Sequence, residues 1–122
     1  MYNMFNYNES LIDISPLENW NVSKVEDFQS MFSNTGISDI SSLENWNVSS
    51  ATNMSYMFYN DTNLTNISFL ANWNVSNVVD MTCMFSGTGV TDISPLINWD
   101  ISKLNKMTNL FTNTGISDIS VL

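Results

Sequence analysis

The sequence predicts an α/β repeat solenoid of 26–27-residue units. Each unit is expected to run strand, turn, helix, stacking into a parallel sheet on one side and short helices on the other. Three observations predict it. The phrase Asn-Trp-Asn-Val-Ser at 19–23 returns unchanged at 45–49 and 72–76, and as Asn-Trp-Asp-Ile-Ser at 98–102. Its tryptophans, Trp20, Trp46, Trp73 and Trp99, stand 26, 27 and 26 residues apart. A second marker, Met-Phe at 4–5, 31–32, 57–58 and 84–85 and Leu-Phe at 110–111, keeps the same period.

The elements follow from one unit's pattern. From Ser23 the apolar residues Val25, Phe28, Met31 and Phe32 have the i, i+3, i+6, i+7 spacing of a short helix. Ser23 is its expected N-cap, with Glu26 completing a capping box, and Ser49, Ser76 and Ser102 hold the same place later. Gly36, Gly89 and Gly115 follow, where positive φ suits a turn or helix end. The segment Ile-Ser-Asp-Ile-Ser, short and bounded by turn residues, reads as the strand. Length varies only between Phe and Ile, ten residues at 58–67 against nine at 32–40, which reads as a surface turn. The whole chain, 1–122, is then one solenoid with units beginning near 11, 37, 64, 90 and 116, the first and last incomplete.

A lone unit cannot bury its apolar side, but stacked units can. The recurring Trp is therefore expected in the core, as a column of rings packed one on the next, each indole N–H held by Asn or a backbone carbonyl. Each ring buries about 150–250 Å².

The phrase Trp-Asn-Val-Ser-x-Val-x-x-Met-x-x-Met-Phe resembles the BspA-type leucine-rich surface-protein repeat of bacterial surface proteins and lipoproteins. The Ile-Ser-Asp-Ile-Ser-Pro-Leu-like segments at 37–43, 90–96 and 116–122 are similar to internalin-type leucine-rich repeats. The resemblance, which spans Met4 to Leu122, implies a leucine-rich-repeat-like solenoid. It also implies a place on the bacterial cell surface or outside the cell, and a role in adhesion or partner binding.

Composition excludes several classes. Three Lys and no Arg stand against twelve acidic residues, a net charge of −9 that repels phosphate backbones, so nucleic acid is not an expected partner. No apolar run approaches the roughly 20 residues that cross a bilayer, and the first twenty residues lack the pattern of a signal peptide. There is no His, and the single Cys83 has no partner to activate it, so neither catalysis nor a cofactor is expected. Asp13, Asp39, Asp92 and Asp118 recur at one position, with Asn66 in the remaining unit. Such a column suits Ca²⁺ ligation, but turn capping, which Asn also performs, is the preferred reading, and no metal is expected. Eight Asn-x-Ser/Thr triplets are read as the product of repetition in an Asn-rich chain.

What remains is a face. Ser38, Asp39, Ser41, Thr65, Asn66, Ser68, Thr91, Asp92 and Ser94 are the polar positions expected to meet a protein or glycan. Strand spacings of ~4.8 Å and ~3.3 Å per residue give the face ~360 Å², under half the ~800 Å² of a standard interface, so one such stack should bind weakly. The alternative is head-to-tail self-assembly through Met4, Phe5, Val121 and Leu122 at open ends. A third reading is a cytoplasmic inhibitor or immunity-type protein for a basic partner.

Overall fold

In the computed structural model, which describes residues 1–122, the chain winds through five stacked coils at about 1–27, 28–53, 54–80, 81–106 and 107–122. Their core is a single cluster running from Ile14 to Leu110. The inward residues follow a period of three. In the third coil Leu64, Ile67, Leu70 and Trp73 are buried, and after a two-residue step so are Val75 and Val78, the period running on into the fourth coil at Met81 and Met84.

A backbone reason underlies that period. The amide of one inward residue repeatedly donates to the carbonyl of the previous one: Leu17 to Ile14 at 2.9 Å, Trp20 to Leu17 at 3.0 Å, Val25 to Val22 at 2.9 Å, Met31 to Phe28 at 3.1 Å. Each coil is thus a chain of three-residue bends. In the first four coils one bend closes into a 3₁₀ helix: Ser15–Leu17, Ser41–Leu43, Ser68–Leu70 and Ser94–Leu96.

The expected strand-and-helix layering is not found. The segment expected to be helical carries the coil-to-coil pairing instead. Amides of Phe28, Ser30, Phe32 and Asn34 donate to the carbonyls of Asn53, Ser55, Met57 and Tyr59, one turn of the stack further on, at 2.8–3.0 Å. The intervening amides of Met31 and Ser33 bend back to Phe28 and Ser30. Parallel bridges link Asp27, Asn53, Asp80 and Lys106 in succession. The segment expected to be strand instead enters the 3₁₀ helix. Ile37, Ile40 and Leu43 are all buried three apart, a spacing that no strand of period two can bury on one face.

Backbone handedness explains the missing helix. Each coil carries residues at positive φ in this segment: Ser30 at 54° and Asn34 at 57°, Tyr56 at 58° and Asn60 at 63°, Cys83 at 55° and Gly87 at 74°. A residue in that region ends a right-handed helix. Gly36, Gly89 and Gly115 have no positive φ; they are required by close approach. A Cβ on Gly36 would lie 2.6 Å from the Glu9 carbonyl oxygen of the coil before.

The aromatic column is also different from the one expected. Phenylalanines, not tryptophans, stack: Phe5, Phe32, Phe58, Phe85 and Phe111 lie 5.8 Å apart between centroids and within 13° of parallel. Trp20, Trp46 and Trp99 lean on the phenylalanines of their own coils, Phe5, Phe32 and Phe85, at 6.3–6.5 Å. The indole N–H reaches a backbone carbonyl of the coil before: Trp46 to Leu17, Trp73 to Leu43, Trp99 to Leu70, at 2.9–3.0 Å. Trp20, in the first coil, has no such carbonyl and is 38% exposed. The serine after each tryptophan caps no helix. Ser23, Ser49 and Ser76 each donate both backbone N–H and hydroxyl to the Asn two residues before, closing a small side-chain turn.

Candidate binding face

All nine polar positions expected to form a face are solvent-exposed. They lie on the approach to each 3₁₀ helix rather than on a sheet. Three successive coils bring them together: Ser38, Asp39 and Ser41, then Thr65, Asn66 and Ser68, then Thr91, Asp92 and Ser94.

One device fixes the carboxylates. Asp39 Oδ1 accepts the Ser41 amide at 2.8 Å, and Asp92 Oδ1 accepts that of Ser94 at 2.9 Å. Asp13 and Asp118 hold Ser15 and Ser120 in the same way. Asn66 does so for Ser68 at 2.9 Å, so the bond needs an oxygen and not a charge. The serine amide first, and its hydroxyl second, hold Asp13, Asp39, Asp92 and Asp118 below the usual carboxylate range. One oxygen of each is committed to its own turn while the charge stays in solvent. No lysine occurs in the segments 11–17, 37–43, 64–70, 90–96 or 116–122, so the row is uncompensated on its own face. Between the last two coils it deepens into a groove of about 250 Å³ that includes Thr91, Asp92, Ser94 and Asp118.

A second polar recess, which no sequence motif marks, lies beside the inter-coil pairing. About 310 Å³ in volume, it is lined by Glu9, Asn34, Thr35, Gly36, Asn60, Thr62 and Asn63. The Asn60 side-chain amide donates to Asn34 Oδ1 at 3.1 Å across the coils. The available signal was one position occupied by Asn34, Asn60, Gly87 and Asn113, residues that share a tolerance for positive φ. The variable-length segment beside it, expected at the surface, includes Asp61, which has no exposed surface. Cys83 is buried.

The self-association residues lie on the two end coils. Met4 is exposed, and Phe5, Val121 and Leu122 are half-buried. Met4, Phe5, Leu11, Ile14, Leu17 and Trp20 line an apolar hollow of about 370 Å³. In the first coil the carbonyls of Tyr2, Met4 and Asn6 have no backbone donor, and in the last the amides of Met107, Asn109, Phe111 and Asn113 have no backbone acceptor.

No group of three or more acidic or Cys side chains is placed to hold a metal ion. No helix is long and apolar enough to cross a membrane.

The stack is similar to solved bacterial proteins. One is an internalin (inlF) from Listeria monocytogenes, with TM-score 0.61 and 27% identity over 90% of this chain and 28% of that one. Another is internalin C2 of the same organism, with TM-score 0.50 and 22% identity over 96% of this chain and 63% of that one. The chain therefore spans less than two thirds of either internalin. Its fold is that of a leucine-rich-repeat solenoid, built here almost without regular helix or strand. No curated protein sequence matches it. A family model described as "Mycoplasma protein of unknown function, DUF285" matches residues 34–119. That match takes in most of the chain, and the protein belongs to the DUF285 family.

Proposed function

We propose that the chain is a non-catalytic binding module of a bacterial surface or extracellular protein, contacting a protein or glycan through its acidic face. The supporting observation is the row Asp13, Asp39, Asp92 and Asp118, exposed, held ionised by local turns, and free of lysine on its own segments. Its fold likeness to an internalin and the surface-repeat resemblance of its sequence support the same class. A negative face of this size favours partners with basic groups and gives weak, salt-sensitive contacts, strengthened when many coils act together.

Asn66 supplies the test. Changing Asp39 and Asp92 to Asn keeps the turn-closing oxygen and removes only charge. Binding of the wild type and the double variant to arrayed bacterial and host-surface glycans and basic proteins should show micromolar-to-millimolar ligands that the variant loses. Equal binding by both proteins rules the acidic face out.

The end coils favour a second reading, continuation of the stack by a second copy. Unpaired carbonyls at one end match unpaired amides at the other, and Trp20 lacks the carbonyl its counterparts use. Light scattering during size exclusion should show mass rising with concentration, and Leu122→Lys should abolish the rise. A mass of 13.8 kDa at every concentration dismisses this reading.

A further inference from the structure

Asp61 occupies an inward position in the period-of-three core, between Phe58 and Leu64, each three residues away. Corresponding positions hold Asn8, Thr35, Thr88 and Thr114. Thr88 and Thr114 close their own bend, each donating its hydroxyl to the carbonyl three residues before. In the second coil the arrangement is different. Asp61 Oδ1 reaches back and accepts both the Thr35 amide at 2.7 Å and the Thr35 hydroxyl at 2.9 Å. The other oxygen, Oδ2, is buried and has no partner.

A neutral carboxyl suits this place better than a charged one, because half the charge of a carboxylate would have neither solvent nor a donor. The groups around it do not help. Thr35 is neutral, no lysine or other acid acts on the carboxyl, and the recess flanked by Asn60 and Thr62 has Glu9 as its one ionisable side chain. The backbone holding Asp61 is light: its amide donates to Phe58 at 3.2 Å and its carbonyl accepts from Leu64 at 3.0 Å. Residues 60, 62 and 63, on either side, are exposed and line the polar recess.

We propose that Asp61 is a pH-sensitive latch behind the wall of the polar recess that Thr35, Asn60 and Thr62 line: neutral, it keeps the 58–64 bend closed against Thr35, and ionised, it opens that bend to admit water to Oδ2. Burial raises its pKa to about 7, with the two Thr35 hydrogen bonds opposing the rise. The direction is opposite to that of Asp39 and its fellows. A carboxyl whose folded pKa is raised contributes stability present at low pH and lost as pH climbs from the unfolded value near 3.8 through about 7. Across that window the folding or closing equilibrium weakens by up to about tenfold per pH unit.

The experiment is a carbon-detected NMR titration of the Asp61 carboxyl, with hydrogen exchange of the Asp61 and Leu64 amides at pH 5 and 8, corrected for intrinsic exchange. Asp61→Thr, the residue of three of the other coils, is measured alongside. A carboxyl titrating between 6 and 8, with protection of both amides falling at least about tenfold in the wild type and not in the variant, bears the latch out. A carboxyl titrating near 4, or equal protection at both pH values, overturns it on the wild type alone. The same loss of protection in Asp61→Thr also overturns it.

Discussion

Single atoms decide much of this molecule. Gly36 is held by contact, since any Cβ there meets the Glu9 carbonyl oxygen at 2.6 Å and the Ile12 side chain at 3.0 Å. Gly36→Ala should therefore cost about 1–3 kcal/mol, as overpacking against backbone does, measured by urea denaturation. A value near zero would mean the coils separate more easily than their hydrogen bonds suggest. The exposed aspartates behave otherwise. Their turn bonds lower their pKa, so the stability they add is full above the unfolded value near 3.8 and is lost as pH falls through the lower folded value. Asp39→Asn should erase part of that acid sensitivity while leaving the fold at neutral pH unchanged, which thermal melts at pH 3 and 7 would detect. At this scale the sequence was readable where residue type has one use. Trp46, Trp73 and Trp99 are core, and the Asp column closes turns as Asn66 does. It was not readable where one type has two uses: Gly36, Gly89 and Gly115 looked like positive-φ residues and are close-approach residues.

Elements were harder to foresee because their spacing is ambiguous. Val25, Phe28, Met31 and Phe32 fit a helix, yet spacings of three fit consecutive bends equally well, and Ser30 at φ 54° excludes the helix. Residues at that position are Ser30, Tyr56, Cys83 and Asn109, which share no chemical mark of left-handed backbone, so nothing flagged it. The segment Ile-Ser-Asp-Ile looked like a strand because it is short and rich in Ile; its buried pair Ile37 and Ile40 are three apart, not two. A count of that interval would have shown the bend. The tryptophan shows what ties one coil to the next. Trp73→Phe should preserve most of the packing but leave the Leu43 carbonyl, which the indole meets at 2.9 Å, with the Trp46 amide as its one donor. The loss should be about 0.5–1.5 kcal/mol, the net value of one hydrogen bond, read from the denaturation midpoint, and a neutral outcome would show that the indole bond adds nothing to the tie between coils.

The whole molecule is a stack in which each coil touches chiefly its neighbours. Pairing between coils uses alternate amides, and the remaining amides close bends within the coil, so one segment satisfies its backbone in two directions. That economy lets 26–27 residues form a layer without regular helix or strand, and it presents one exposed edge of each coil, with Asp39, Asn66 and Asp92, in a row. The solenoid and its period were legible from the repeat, whereas the layer's internal architecture and the buried Asp61 were not. The most direct test is backbone NMR of the full chain: Cα and Cβ shifts together with amide exchange over 23–43. The account predicts no run of helical shifts across 23–32 and left-handed values at Ser30 and Asn34. It also predicts slow exchange at Phe28, Phe32 and Ile40's neighbour Leu43, whose amides are bonded. Continuous helical shifts over 23–32, with strand shifts over 37–41, would contradict it and restore the strand-and-helix layering that the sequence alone suggested.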